Sequence, residues 1–367
     1  MTRIWACLLT MALCHTAIGA APASRKGPAR RNSRKSAPSG PWRQPTYADS
    51  TLGDNVDGDD LTIRRAAVDA LGRYNGSVVV ADPDTGRILT IVNQKLAYQS
   101  GFQPCSTIKL VTAFAALREG VVESSTMLRL SKYMKLDLTG ALCHSNNVYF
   151  AILGKRLGFE RVSRYARLFG LGEKAGLDLE GEQPGTLPEE PPENGGVGMM
   201  TSFGEGITLT PLELAGLLCA ISNGGTLYYL QYPHSQDDAA RFTPEVKRQL
   251  DIGQWIGEVK TGMRAVVDSG TGHRANYDPN EPIMGKTGTC TDYKAMAHLG
   301  WFGSFDDAER HKLVVVVLLT GGKSVNGPVA AGVAGSVYKN LSEQNFFARM
   351  GNPPPASLFT TQSCCAR

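Results

Sequence analysis

Acidic residues are missing from the first 46 positions, and the chain has no C-x-x-C pair and no Cys/His ligand spacing. The latter absence leaves no pattern for a structural zinc site, and no metal or cofactor is expected. Cys143-His144 is an isolated neighbour pair that reads as packing. Long apolar runs are also scarce. The one from Ile4 to Ile18 falls short of the about 20 residues a spanning helix needs. Preceded by Arg3 and followed by small residues from Gly19 to Ala23, it reads as a secretory signal peptide over residues 1–20. An uncleaved N-terminal anchor is the alternative. The reading places the protein across the bacterial inner membrane, periplasmic or otherwise extracytoplasmic.

The lack of acid at the start sets where the positive charge lies. Residues 1–46 carry eight Lys and Arg, and the formal charge of the chain is +4, so residues 47–367 sum to 4 − 8 = −4. The basic character belongs to a Pro/Ser/Ala/Arg-rich linker, residues 21–46, which has little to bury and reads as disordered. No nucleic-acid partner is expected. The linker would meet an anionic membrane or wall surface, or serve as a plain tether. Six cysteines follow the signal, in a setting that permits disulfides. Residues 47–350 read as one domain and 351–367 as a flexible tail with Cys364 and Cys365.

Within that domain, the apolar spacing of Ile63, Ala66, Ala67, Ala70 and Leu71 predicts a helix opening at Leu61-Thr62. Strands Ser77 to Ala81 and Arg87 to Asn93 flank a turn through Asp82-Pro83-Asp84-Thr85-Gly86, which makes a hairpin. Helices are expected over residues 106–118, from about Asn146 to Leu157, and from Pro211 to Ser222, with a loop over residues 170–198. Three late strands, Pro282–Thr287, Ala297–Phe305 and Lys312–Thr320, precede a helix from Val329 to Phe347. Strands at both ends with helices between them predict an α+β fold: an antiparallel sheet of early and late strands, flanked by helices, with a mostly helical insert.

Three short motifs carry the chemistry: Ser106-Thr107-Ile108-Lys109, Ser145-Asn146-Asn147 and Lys286-Thr287-Gly288-Thr289. About one or two accidental S-x-x-K strings are expected in a chain of this length, and Ser336-Val337-Tyr338-Lys339 is one. Lys260-Thr261-Gly262 and Ser324-Val325-Asn326 are further decoys, the first in a helical pattern and the second too late in the order. Ser106 opens a helix, where free N–H groups favour negative charge, and Lys109 falls on the same face. A lysine acts as a base only with a lowered pKa, which burial and a second cation, Lys286, would promote. Ser145 suits a proton relay and Asn147 a bond to a substrate amide. Lys286-Thr287-Gly288-Thr289 reads as an edge strand whose Gly288 admits a close backbone and whose Thr287 and Thr289 offer hydroxyls to a carboxylate. The backbone N–H groups of Ser106 and Thr289 would form an oxyanion hole.

Taken in order, these residues resemble the penicillin-binding protein transpeptidases, which share their fold with serine β-lactamases. The resemblance runs from about residue 61 to 340. It includes Leu61-Thr62-Ile63, Val78 to Gly86, Phe102 to Lys109, and Gly176-Leu177-Asp178 with Glu182 and Gly185. It continues through Thr210 to Ala215, Ser222 to Gly225, Gly285 to Thr289 and His298 to Phe302. It implies an acyl-serine enzyme acting on the D-Ala-D-Ala ends of peptidoglycan stem peptides and acylated by β-lactams. A β-lactamase, with one of Glu180, Glu182, Glu189, Glu190 or Glu193 as a deacylating base, and a non-catalytic β-lactam or wall sensor are the alternatives. Glu182 falls where transpeptidases carry a structural Glu.

The family's usual Gly before the nucleophile is replaced by Cys105, and residues 47–60 are too few for an N-terminal pedestal. Cys105 precedes the nucleophile and Cys290 follows Thr289, so two groups that converge on one oxyanion would bring their neighbours within disulfide range. A group of serine carbapenemases bridges the same two positions. A bridge between Cys105 and Cys290 is therefore expected.

Overall fold

In a computed structural model, which describes residues 43–306 and 312–347, the early hairpin and the late strands close into one sheet. The expected signal peptide, most of the basic linker and the tail with Cys364 and Cys365 lie outside the described residues. The chain passes through α1 (Leu61–Leu71), β1 (Gly76–Ala81), β2 (Ile88–Val92) and α2 (Gln94–Tyr98). A turn of 3-10 helix, Cys105–Ile108, runs directly into α3 (Lys109–Arg118). A small hairpin of β3 (Leu128–Arg129) and β4 (Lys135–Leu136) precedes α4 (Leu138–Cys143), α5 (Asn147–Leu157), α6 (Phe159–Leu168) and α7 (Gly196–Phe203). Next come α8 (Pro211–Ser222), β5 (Thr226–Tyr228), α9 (Gln236–Ala240), β6 (Val246–Gln249) and α10 (Gly253–Asp268). The last elements are β7 (Ile283–Asp292), β8 (Ala297–Asp306), β9 (Val314–Gly321) and α11 (Gly327–Glu343).

The main sheet has the order β2-β1-β9-β8-β7, with every neighbour antiparallel. Side chains alternate between its faces. Val78, Val80, Val315 and Val317 pack with Ile63 of α1 and Tyr338 of α11 on one side. Val79, Ala81, Val316 and Leu318 join Phe114 of α3 and Leu214 of α8 on the other. Both faces are covered, so β1, β2 and β9 are buried at every residue and read as near-continuous apolar runs.

At the centre of the helical part, α8 is buried along all twelve residues. Its start combines a Thr210/Glu213 capping box with Pro211 in the first turn, and the Asn223 side chain closes its end on the Pro83 carbonyl and the Thr226 amide. The expected α+β fold is the one observed. The helix expected over 106–118 begins as a tighter 3-10 turn, and the strand expected to stop at Thr287 continues to Asp292. The late helix starts earlier, at Gly327, because Asn326 caps it and Pro328 is tolerated in a first turn. Helices α2 and α4 are one or two turns long, too short for an apolar period to register.

A buried ionic knot ties residues 54–59 to the sheet. Asp59 accepts from Thr90 (2.6 Å), Tyr232 (2.5 Å) and Arg64 (3.2 Å), and Arg64 also reaches Asp54 at 2.6 Å. Burial pushes the Asp59 carboxyl up, against the pull of Thr90, Tyr232 and Arg64. Removing the acceptor strands the buried Thr90 hydroxyl, while Arg64 keeps Asp54 and the Ile91 carbonyl and Tyr232 keeps the Asn55 carbonyl. Asp59→Ala is expected to cost about 1–3 kcal/mol, read as an earlier denaturant midpoint. A loss below about 1 kcal/mol, the range of a surface pair, would show the knot to be ornamental.

Candidate active site

The site is built where the 3-10 turn meets the edge strand. Cys105 adopts φ +52°, the left-handed region where glycine is the easy choice, and it is bonded to Cys290 with a Cα–Cα distance of 5.6 Å. Its geometry explains the departure noted above: the bridge holds a residue with a Cβ where the family carries glycine. Gly288 completes the junction. A Cβ there would lie 3.0 Å from the Pro104 carbonyl and 3.3 Å from the Cys105 Cβ. The missing side chain thus serves the approach of β7 to the Cys105–Ile108 turn, a need within the protein that adds to the expected room for a substrate. The Gln103 carbonyl accepts from Trp301 Nε1 at 3.0 Å and fixes the same turn to β8.

Lys109 begins α3 one turn beyond Ser106, and its side chain is fully buried. Its Nζ lies 2.5 Å from Ser106 Oγ, 2.8 Å from Asn147 Oδ1 and 2.7 Å from the Ser202 carbonyl. The rings of Phe150 and Phe203 each stand 5.8 Å away. Burial lowers the amine's pKa to about 6, and the Lys286 charge adds to the effect. A neutral amine has two N–H groups and one lone pair. Asn147 Oδ1 and the Ser202 carbonyl offer only acceptors, so they take the two N–H groups and turn the lone pair on the Ser106 hydroxyl. This arrangement can remove a proton from Ser106 with no ligand movement.

The central motif divides its work by residue. Ser145 sits at φ +51° in the joint between α4 and α5, a strained position for a residue with a Cβ. Asn146 caps α5 through a bond from Tyr149 N at 3.0 Å, which leaves Asn147 as the first helical residue, facing Lys109. Ser145 Oγ accepts from Lys286 Nζ at 2.8 Å rather than from Lys109. Lys286 also donates to the Thr287 carbonyl (3.0 Å), and its side chain has no exposure. Burial lowers its pKa to about 7.

Strand β7 is the sheet edge, as expected, so the backbone of Lys286 to Thr289 has one side free of strand partners. The Thr287 hydroxyl pairs with that of Thr271 at 2.6 Å, and Thr289 Oγ1 accepts from the Gly327 amide at 2.8 Å. Gly327 is required there, since a Cβ would meet the Gly288 carbonyl and the Thr287 Cβ, both at 2.9 Å. Ser106, Lys109, Ser145, Asn147, Lys286, Thr287, Gly288 and Thr289 thus gather around one cleft. Sequence reasoning missed Ser202, Phe203 and Thr271. Ser202 contributes a backbone atom, which leaves no trace in a residue pattern.

The decoys lie elsewhere. Ser336 bonds the Gly332 carbonyl within α11, and Lys339 pairs with Glu343 on the surface. Lys260 belongs to α10 and reaches the Ser222 carbonyl. In the Glu-rich loop, Glu182 is buried and accepts from the amides of Ala175 (2.8 Å) and Gly176 (3.0 Å). It braces the loop. Glu213 does the same for the amides of Gly172, Gly185 and Thr210, and burial raises its pKa to about 7.

Comparison with known proteins accords with this geometry. Stage V sporulation protein D of Bacillus subtilis is 30% identical over 286 residues, which cover 68% of this chain and 44% of that protein. The peptidoglycan D,D-transpeptidase MrdA of Acinetobacter baumannii is 25% identical over 358 residues, covering 76% of this chain and 52% of that one. The chain therefore spans about half the length of these curated relatives. Among solved structures, the D,D-transpeptidase domain of a peptidoglycan glycosyltransferase from Eggerthella lenta superposes with a TM-score of 0.64 at 25% identity, covering 78% of this chain and 82% of that one. The penicillin binding protein transpeptidase domain matches residues 76–342, most of the chain, and on that ground the protein belongs to the penicillin-binding transpeptidase family.

Proposed function

We propose that the protein is an exported serine acyltransferase that acts on the D-Ala-D-Ala ends of peptidoglycan stem peptides and is acylated by β-lactams. The relatives that are D,D-transpeptidases by name support the substrate class, and the signal-like residues 3–23 support export. One observation carries the mechanism: the Lys109 amine is held by two fixed acceptors with its remaining valence on Ser106 Oγ.

In this reading Ser106 Oγ attacks the carbonyl carbon of the penultimate D-alanine while its proton passes to Lys109. The oxyanion forms between the backbone N–H groups of Ser106 and Thr289. Ser145, whose Oγ accepts from Lys286, gives its own proton to the leaving nitrogen and takes one from Lys286, which the proton on Lys109 restores; the C–N bond breaks, and D-alanine departs. Lys286, Thr287 and Thr289 hold the terminal carboxylate, and Gly288 keeps the strand close. Asn147 uses its Oδ1 on Lys109, which leaves its Nδ2 for a substrate amide carbonyl. A β-lactam acylates Ser106 by the same route. The burial and backbone bonding of Glu182 mark it as a brace of its loop rather than a deacylating base.

Ser106→Ala is expected to abolish labelling by a fluorescent penicillin in a folded protein. An intact-mass adduct on that variant would remove Ser106 from its role. The acylation rate constant should rise as pH climbs through about 6, because Lys109 is a base only once it has lost its proton. Lys286→Met removes a like charge, which favours the protonated Lys109, so the rising limb should move to higher pH. A limb that stays put or moves down contradicts the coupling. The left-handed turn at Cys105 gives a further expectation. With Cys290→Ser, Cys105→Gly should acylate within a few-fold of the parent, whereas Cys105→Val should be slowed far more. Equal rates in the two double variants would show that the turn does not depend on that conformation.

A further inference from the structure

The hairpin of β3 and β4 has two unlike faces. Leu128 and Leu136 stand opposite each other and turn inward, Leu128 in the core and Leu136 packed against it. The next register pair, Arg129 and Lys135, lies on the other face. Both are exposed, as are Lys132 and Tyr133 at the tip and Met127 and Met134 beside them. Tyr133 keeps 88% of its surface in water, the most of any large apolar side chain among the described residues. The tip reaches the joint between α4 and α5, where Asn146 Nδ2 lies 3.8 Å from Met134 Sδ and Val148 is exposed nearby.

Two features of this face are costly in water. Arg129 and Lys135 are like charges directly opposite each other in strands of two residues each, an arrangement that weakens a hairpin. Among the described residues neither they nor Lys132 form an ion pair, and residues 127–136 contain no acid. Lys132 Nζ stands 5.1 Å from the Tyr133 ring. The second cost is apolar. Met127, Tyr133, Met134 and Val148 are four of the ten large apolar side chains exposed among the described residues, and they gather at this one place. A domain of net negative charge thus presents a local face that is both cationic and apolar.

We propose that this hairpin is a docking face for an anionic lipid bilayer, with Arg129, Lys132 and Lys135 at the headgroups and Tyr133 and the two methionines in the interfacial layer. Headgroup phosphates relieve the repulsion between the cations, and lipid takes the apolar side chains out of water. Long Lys and Arg stems keep their charges at the headgroups while the tip sinks. Tyrosine, with an apolar ring and a polar end, is a residue that such an interface favours. A sugar strand fits less well, because residues 127–136 hold no amide or carboxylate side chain to accept from its hydroxyls. An acidic protein also fits less well, since two such short strands offer little of the roughly 1,000 Å² that a stable interface needs. The contact is separate from the basic linker and independent of the acyl-serine chemistry. Through Asn146 it would set the joint that carries Ser145 and Asn147 beside the bilayer.

The test uses the purified full chain with vesicles of equal parts phosphatidylglycerol and phosphatidylcholine, and with vesicles of phosphatidylcholine alone. The basic linker is also expected to meet lipid, so the readouts are local to the hairpin. Hydrogen exchange at the amides of residues 129–135 should slow on the anionic vesicles and not on the neutral ones. In co-sedimentation, Lys132→Ser combined with Lys135→Ser should weaken binding to the anionic vesicles about 25-fold, about fivefold for each cation. Tyr133→Ser should weaken it at high salt as well, where the charge attraction is screened. Thermal midpoints without vesicles serve as the reference for an intact fold, and the double variant, which removes like charges, should not lower them. Equal binding by the parent and the double variant, or slowed exchange confined to residues before 43, assigns the lipid contact to the linker and overturns the proposal. So does equal slowing on neutral vesicles, which leaves the three cations without a role. Slowing at the hairpin by polyglutamate, with none on vesicles, overturns it in favour of an acidic protein partner.

Discussion

Two lysine amines, Lys109 and Lys286, are held out of water side by side, and the proposed chemistry depends on that confinement. An amine in contact with solvent keeps its proton far above neutrality and has no lone pair to offer. Burial makes the protonated form costly, and two like charges in the same cleft make it costlier. The dry surroundings come from several elements at once: α3 supplies Lys109, α5 and α7 supply Phe150 and Phe203, and β7 supplies Lys286. No single segment could enforce this. The covered sheet, the fully buried α8 and the helices around the cleft are the machinery that keeps both amines in place.

Close approach between backbones is the second constraint. The Cys105–Ile108 turn, the edge strand and the start of α11 touch one another with no room for side chains at Gly288 and Gly327. The disulfide spans the same junction and secures a left-handed residue that would otherwise favour glycine. Ser145 pays a comparable conformational cost at φ +51°, in the joint between two helices. Left-handed residues other than glycine also occur away from the site, among them Asn93, whose amide donates to Asp54 beside the Asp59 knot.

The wall between α7 and the tip of the β7–β8 hairpin differs in character from the rest of the cleft. The inner cleft is buried and its polar atoms are matched to one another: Lys109 with three acceptors, Lys286 with Ser145, Thr287 with Thr271. Along that wall Lys294 is exposed and Glu205 half-buried, while Asp292 is buried and shapes the turn. A preorganised interior suits a bond-making step.

Much of this was legible in the residues. Apolar runs set between turn residues announced the hairpin and the late strands, and an apolar run bounded by Pro211 and Asn223-Gly224-Gly225 announced α8, because these elements are buried on both faces. The three motifs announced Ser106, Lys109, Ser145, Asn147 and Lys286, because a hydroxyl, an amine three residues on and an ordered set of partners constrain side-chain identity. The neighbours of two convergent residues even indicated the Cys105–Cys290 bridge, which is present. Other features belonged to the tertiary structure alone. The Ser202 carbonyl at Lys109 is a backbone atom available at any residue, so no pattern could single it out. The pairing of Ser145 with Lys286, and of Thr287 with Thr271, depends on how elements 141 and 16 residues apart are packed. The residue types determined which groups were available for the proposed acyl transfer. Burial, which arises only when distant elements close over a lysine, decided that one of them could act as a base.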